Sequence, residues 1–384
     1  MAARTDRKID TRTAGGKLRC VDLFAGAGGL SLAARNVGLD VVAAIEKDAH
    51  ACVTYNANLV SGDGSTKLYE NDILEILPHK VKSLHFRGNE GCDVVLGGPP
   101  CQGFSTHRIN GAGINDPRNA LVLRYFDFVA ELRPKVFLME NVPGILWPRH
   151  RDFLDAFYSI GAKAGYDVAL PVVLDARDFG VPQRRKRVFI LGVRNDFAFR
   201  AAWPPSPTHG DAAAIQQDSK LRKWVAAGEV FSRPIPDSDP NANHMNHNAA
   251  MIEVFKSTPI NGGSRHQSNR ILDCHRDHSG HKDVYGRIDP RVPGPTMTTA
   301  CINPSKGRFV HPTKHHGIAV RHAARFQTFP DDFIFHGGLI AAGQQIGNAV
   351  PVFLGEALLR VVAEGIYNGS AITASKRRKG SNNG

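Results

Sequence analysis

The sequence predicts a doubly wound, mostly parallel α/β sheet joined to a smaller irregular domain. Three observations predict it. Short β-rich runs alternate with helix-length stretches from residue 18 to 194, turns rich in glycine or proline follow two of the strand ends, and at Asn195 the alternation stops. Strands separated by helices pair through crossovers, and crossovers build parallel sheets.

LRCVDLF (18–24) and DVVAAI (40–45) read as the first strands, followed by CDVVLGG (92–98), KVFLME (135–140) and PVVLDA (171–176). VFILGVR (188–194) is one more, expected as a hairpin partner of the strand before it. Between them GGLSLAARNVG, HACVTYNANL, NALVLRYFDFVAEL and RDFLDAFYSIGAKAG carry apolar residues at helical spacing. AAWPPSPTHGDAAA and FSRPIPDSDPNANHMNHNAA then bring proline, asparagine, aspartate and histidine with little periodicity. A helical pattern returns at VPVFLGEALLRVVAEGIY (350–367), placed to pack back on the first sheet.

No run of about 18 apolar residues occurs, which argues against a membrane span, and the N-terminus has no apolar stretch of secretory type. Six cysteines spread over 384 residues do not make a disulfide framework; Cys20, Cys52 and Cys92 sit among apolar residues as small buried hydrophobes. Lys and Arg number 48 against 36 acidic residues, a net charge of +12 that attracts polyanions such as nucleic acid.

The chemistry concentrates at predicted strand ends, where open parallel sheets bind ligands. In DLFAGAGG, Gly26, Gly28 and Gly29 allow a tight turn, and Glu46 ends the second strand about twenty residues on, where an acid accepts hydrogen bonds from ribose. That pattern suits an adenosine-type cofactor, while the GxGxxG spacing of a dinucleotide site is missing. Asp72, in ENDIL, suits either an adenine amino group or a helix cap. In GGPPCQGFS, Pro99 and Pro100 stiffen the backbone and Gly98 and Gly103 permit turns, so Cys101 stands at the mouth of the site. A thiol with a pKa near 8.5 is only about a few per cent thiolate at neutral pH, so the site must activate the sulfur or its target. Glu140 and Asn141 end a neighbouring strand. An ordinary Glu is protonated in roughly one molecule in 500 at pH 7, so an acid role requires burial. Arg185 and Arg187, two apart, are expected on one face of a strand, where guanidinium groups hold carbonyl oxygens or phosphates.

Taken in order, FAGAGG, Glu46, Asp72, GGPPCQGFS, DPRNALV (116–122), ENV (140–142), QRRKR (183–187), PTMTTACINPSKGRFVHP (295–312), RHAARFQTFPDDF (321–333) and QQIGNAVP (344–351) resemble the DNA (cytosine-5)-methyltransferases of bacterial restriction-modification systems. The resemblance covers roughly residues 18–195 and 287–366. It implies the S-adenosylmethionine-dependent methyltransferase fold, Rossmann-like, with Phe24, Gly26, Gly28, Gly29, Glu46, Lys47, Asp72, Ile73, Pro100, Leu121, Asn348 and Val350 around S-adenosylmethionine. Lys47 stands where an apolar or aromatic residue often follows the acid, and His322 where a Glu is common.

The resemblance further implies that Cys101 adds to carbon-6 of a flipped-out cytosine, with Glu140, Arg185 and Arg187 around the base. It implies a short duplex DNA sequence as substrate. Gln102, Ser105, Arg108 and Arg118 would meet it from the loop after Cys101, and Arg265, Arg270, Arg276 and Arg287 from a target-recognition domain. Cys274, His275, His278 and His281 do not form a standard zinc pairing, and no metal is expected. The expected organisation is a disordered segment over 1–16, a discontinuous catalytic domain over 17–195 and 337–367, a recognition domain and hinge over 196–336, and a disordered basic tail over 368–384. A monomeric, cytoplasmic, nucleoid-associated enzyme is expected, with a cognate restriction endonuclease acting separately.

Overall fold

The computed structural model describes residues 16–60, 65–88, 90–100, 120–268 and 283–372. The expected disorder at residues 1–15 and from 373 lies outside them. Residues 368–372, expected within the disordered tail, are a correction: Ser370–Ala371 pairs antiparallel with Phe197–Ala198.

The alternating runs form one eight-stranded sheet. Its strands are β1 (Arg19–Leu23), β2 (Asp40–Glu46), β3 (Lys67–Glu70), β4 (Val94–Gly97), β5 (Val136–Asn141), β6 (Tyr166–Val168), β7 (Val172–Asp175) and β8 (Lys186–Arg194). The order is β3-β2-β1-β4-β5-β8-β6, with β7 also paired to β8. Strands β1 to β5 pair in parallel, whereas β8 runs antiparallel to β5, β6 and β7. The expected pairing of 171–176 with 188–194 is therefore present. Strands β3 and β6 are additions: four and three residues carry too little periodicity to be read from sequence.

Both faces of the sheet are covered, which is why the central strand β4 is apolar at every position rather than at alternate ones. Along β1, Cys20 packs into one core and Val21 and Leu23 into the other. Helices α1 (Gly29–Asn36), α2 (Ala49–Leu59), α3 (Pro78–His85), α4 (Ala120–Leu132) and α5 (Arg151–Lys163) supply the crossovers. Asp48 starts α2 by accepting from the Ala51 amide at 2.8 Å.

The irregular region holds short helices α6 (Ala212–Gln217), α7 (Gly228–Phe231), α8 (Ala249–Ser257) and α9 (Val320–Phe326). Buried arginines organise it where secondary structure does not. Arg321 grips Asp239 through two contacts of 2.6 and 3.0 Å, and Arg325 grips Asp331 at 2.9 and 3.0 Å. Helices α10 (Leu339–Asn348) and α11 (Val352–Tyr367) return to the sheet. Gly355 of α11 lies so close to α1 that a Cβ there would sit 2.7 Å from that of Ala33. The stretch 339–367 is apolar enough to cross a membrane by composition, but Pro351 divides it and most of it is buried in the core.

Candidate active site

Successive strands move outward from β1 in one direction through β2 and β3, and in the other through β4 and β5. The chain therefore leaves a crevice at the carboxyl ends of β1 and β4. A cavity of about 800 Å³ opens there, a size that suits a nucleoside-sized ligand. Phe24, Gly26, Gly29, Glu46, Lys47, Asp72, Ile73, Pro100, Leu121, Asn348 and Val350, all named from the sequence, line it together.

Gly26 and Gly28 adopt φ of +56° and +93°, the left-handed region that glycine enters without strain. Gly26 faces open space. Gly28 does not line the cavity: a Cβ there would sit 2.1 Å from Leu59, so this glycine seats the turn on α2 instead. Glu46 is oriented before any ligand arrives. One oxygen accepts from the Gly26 amide at 2.7 Å, the other from the Lys47 and Asp48 amides at 2.8 and 2.7 Å. The first oxygen keeps a lone pair for a hydroxyl donor. Across the rim Lys47 holds Asp72 at 2.8 Å, which lowers the Asp72 pKa.

Asp22 also lines the cavity and was missed in the sequence, although a charged residue inside an apolar strand is itself a signal. It is 1% exposed and accepts from the Ser31 hydroxyl at 2.6 Å, which in turn accepts from Tyr55 at 2.8 Å. Burial pushes its carboxyl up to about 7; the Ser31 hydrogen bond pulls it back, and the charge on Glu46 adds to the rise. Thr299 and Gln345 are further lining residues; both lie inside the 295–312 and 344–351 motifs but were not singled out there.

At the other end of the cavity Glu140 lies in β5 and Arg187 in β8, and their side chains meet at 2.9 Å with 12% and 14% exposure. Gly98 makes the room: a Cβ there would stand 3.0 Å from a Glu140 carboxylate oxygen. Burial raises the Glu140 pKa, and the charges of Arg187 and Arg185 offset only part of that rise.

Arg185 requires a correction. It precedes the start of β8, in a loop bridged to Gly294, so strand alternation does not place it beside Arg187. It is 1% exposed and donates to the carbonyls of Met297, Gly347 and Ala349 at 2.8, 2.7 and 2.9 Å. Arg287, expected on DNA, is fully buried and donates to the carbonyls of Phe255, Thr258, His311 and Lys314. Arg265 is buried too, at 7% exposure. Neither side chain is presented to a duplex. Cys101, Gln102, Ser105, Arg108, Arg118, Arg270, Arg276 and the Cys274–His281 cluster lie outside the described residues.

A family model described as C-5 cytosine-specific DNA methylase matches residues 18–364. The chain belongs to that family. This methylase is a DNA (cytosine-5-)-methyltransferase, an enzyme that transfers a methyl group to cytosine in DNA. It is 32% identical over 369 residues to the type II methyltransferase M.XorII of Xanthomonas oryzae pv. oryzae, covering 88% of this chain and 82% of that one. It is 33% identical over 354 residues to M1.HphI of Haemophilus parahaemolyticus, covering 90% and 86%. A prophage-encoded DNA modification methyltransferase from E. coli superposes with a TM-score of 0.69 at 25% identity, covering 92% of this chain and 100% of that one. The S. pombe Dnmt2 methyltransferase shares the fold, with a TM-score of 0.55 at 18% identity over 91% of this chain and 99% of that one.

Proposed function

We propose that the methylase modifies carbon-5 of one cytosine within a short duplex sequence, by addition of the Cys101 thiolate to carbon-6 of a flipped-out base. The observation that carries the reading is the buried Glu140–Arg187 pair, which lines the same cavity as the Glu46 turn and Pro100, the residue before Cys101.

The cavity fits S-adenosylmethionine: its volume, the open glycine turn and the spare lone pair on a pre-oriented Glu46 suit an adenosyl group. Glu46 would take the ribose, the Asp72–Ile73 segment the adenine, and Asn348 and Val350 the far wall. Asp22 would meet positive charge. When bound, this cofactor supplies a methyl group on a sulfonium that leaves as a neutral thioether.

Cytosine carbon-5 is a weak nucleophile until sulfur bonds to carbon-6, which moves the ring's π electrons onto carbon-5. Glu140, kept protonated more readily by its burial, donates to the ring nitrogen as negative charge builds there, and Arg187 orients Glu140 and holds the carbonyl oxygen. After transfer a base, bound water or a side chain, takes the carbon-5 proton, and the electrons of that bond restore the carbon-5–carbon-6 double bond as the thiolate leaves. Base extrusion costs a few kcal/mol. Gln102, Ser105, Arg108 and Arg118, with Arg270 and Arg276 in the proposed recognition domain of residues 196–336, are our candidates for DNA contact. We further propose a monomeric cytoplasmic enzyme whose restriction endonuclease acts separately.

The test is tritiated methyl transfer to duplex DNA, with tRNA as control. Wild type labels DNA and forms a covalent adduct with a duplex carrying 5-fluorocytosine at the modified position. Cys101→Ser loses both and still shifts DNA in a gel. Undiminished transfer by that variant would refute the mechanism.

A further inference from the structure

The turn from Asn348 to Pro351, which forms one wall of the cavity, keeps one backbone bond to each flanking helix, Ala349 donating to Gln345 and Gly355 donating to Pro351, but most of its hold comes from elsewhere. Helix α10 ends at Asn348, so the carbonyls of its last turn lack partners within the helix. Those of Ile346 and Ala349 accept from the side-chain amide of Gln327, while Gly347 and Ala349 accept from Arg185. Helix α11 begins at Val352, and its first amides need acceptors too. Val352 donates to the Gln327 carbonyl and Phe353 to the Thr328 hydroxyl, each at 3.0 Å. Two consecutive residues thus tie both ends of the cavity turn. Thr328 holds φ at +59°, a conformation that a β-branched residue adopts only when its surroundings impose it.

Gln327 has no exposure, and its amide orientation is forced. Its nitrogen faces two carbonyls, so its oxygen faces Gln183, which donates to it at 2.8 Å. Gln183, equally buried, also donates to the Phe326 carbonyl at 2.6 Å and accepts from the Met297 amide at 2.9 Å. The amides of both glutamines are fully engaged, in a medium where a lost partner costs about 1–3 kcal/mol. A displacement of the backbone at Met297 or Phe326 must therefore carry the turn at 346–351 with it.

We propose that Gln327, backed by Gln183, is a positioning residue that couples the 196–336 region to cofactor binding. DNA engagement on that side sets the turn bearing Asn348 and Val350, and by reciprocity an occupied cavity sets the affinity for DNA. This rests on the cofactor and recognition readings above.

Gln327→Met keeps the length of the side chain and removes its donors and acceptor. Full-length wild type and variant are dialysed to equilibrium against tritiated S-adenosylhomocysteine, with and without unmethylated bacteriophage DNA. In wild type, DNA tightens binding about fivefold or more. In the variant that ratio falls below about two, and hydrogen exchange at the Val352 and Phe353 amides quickens about tenfold in the ligand-free protein. At saturating cofactor, kcat falls far less than KM rises. Binding without DNA coupling in wild type overturns this inference alone, as does full coupling in the variant. No binding of S-adenosylhomocysteine at all overturns the cofactor reading together with it. If Gln327→Met does not fold, Gln183→Met, which leaves the Gln327 donors in place, must abolish the coupling; a retained ratio there overturns the proposal.

Discussion

Replacing Asp22 by Asn isolates the most perturbed carboxyl of the cavity. Its pKa stands at about 7 against an ordinary 3.8, so the folded protein binds this proton more tightly than the unfolded chain does. The gap amounts to about 4 kcal/mol. A raised carboxyl contributes stability that is fully present below pH 3.8 and is lost as pH climbs toward 7. About two of the roughly three pH units lie above pH 5, so wild type loses about 3 kcal/mol between pH 5 and 8. Asn does not titrate, yet it still accepts from Ser31. With an unfolding entropy of roughly 2.1 cal/mol/K per residue, 384 residues give about 0.8 kcal/mol/K. Wild type should therefore lose about 4 °C more of its melting temperature than the variant over that interval, measured calorimetrically without ligand. Melting curves that shift in parallel with pH would refute the burial argument. Affinity for the cationic cofactor should rise with pH through about 7 in wild type and stay flat in the variant, because binding a cation drives Asp22 to release its proton.

Glu140→Ala should lower kcat/KM for methyl transfer by about 10²–10³-fold with little change in cofactor affinity, as expected for loss of one buried group that acts on developing charge. Glu140→Gln, still a neutral donor, should retain more activity than Ala in single-turnover assays. Arg287→Met should destabilise the protein by about 3 kcal/mol or more, since buried carbonyls of Phe255, Thr258 and His311 and the half-buried one of Lys314 lose their donor. Urea denaturation measures it. A loss of DNA affinity without any change in stability would restore Arg287 as a DNA contact.

The parts of the site legible in the sequence were those fixed locally. Gly26, which needs left-handed φ just after β1, the acid ending β2 and Glu140 near the end of β5 are set by strand position and turn chemistry, and the structure brings them to one cavity. Arg185 and Arg287 were misread because a basic residue in a polar segment looks the same whether it faces solvent or not. Their surroundings are fixed by carbonyls 112 and 162 residues away for Arg185, and 29 and 24 residues away for Arg287. Gln183 and Gln327 lay inside recognised motifs, yet nothing local shows that they face one another across 144 residues. The sheet followed from its short apolar runs alternating with helices, apart from β3 and β6.

Arg287 clasps peptide oxygens rather than particular side chains at four of its partners. Every amino acid carries such an oxygen, so the segments around this arginine are free to change their side chains while the scaffold beneath persists. Replacing this guanidinium would instead disturb all of those segments at once, so any variation of the surrounding loops should leave it in place.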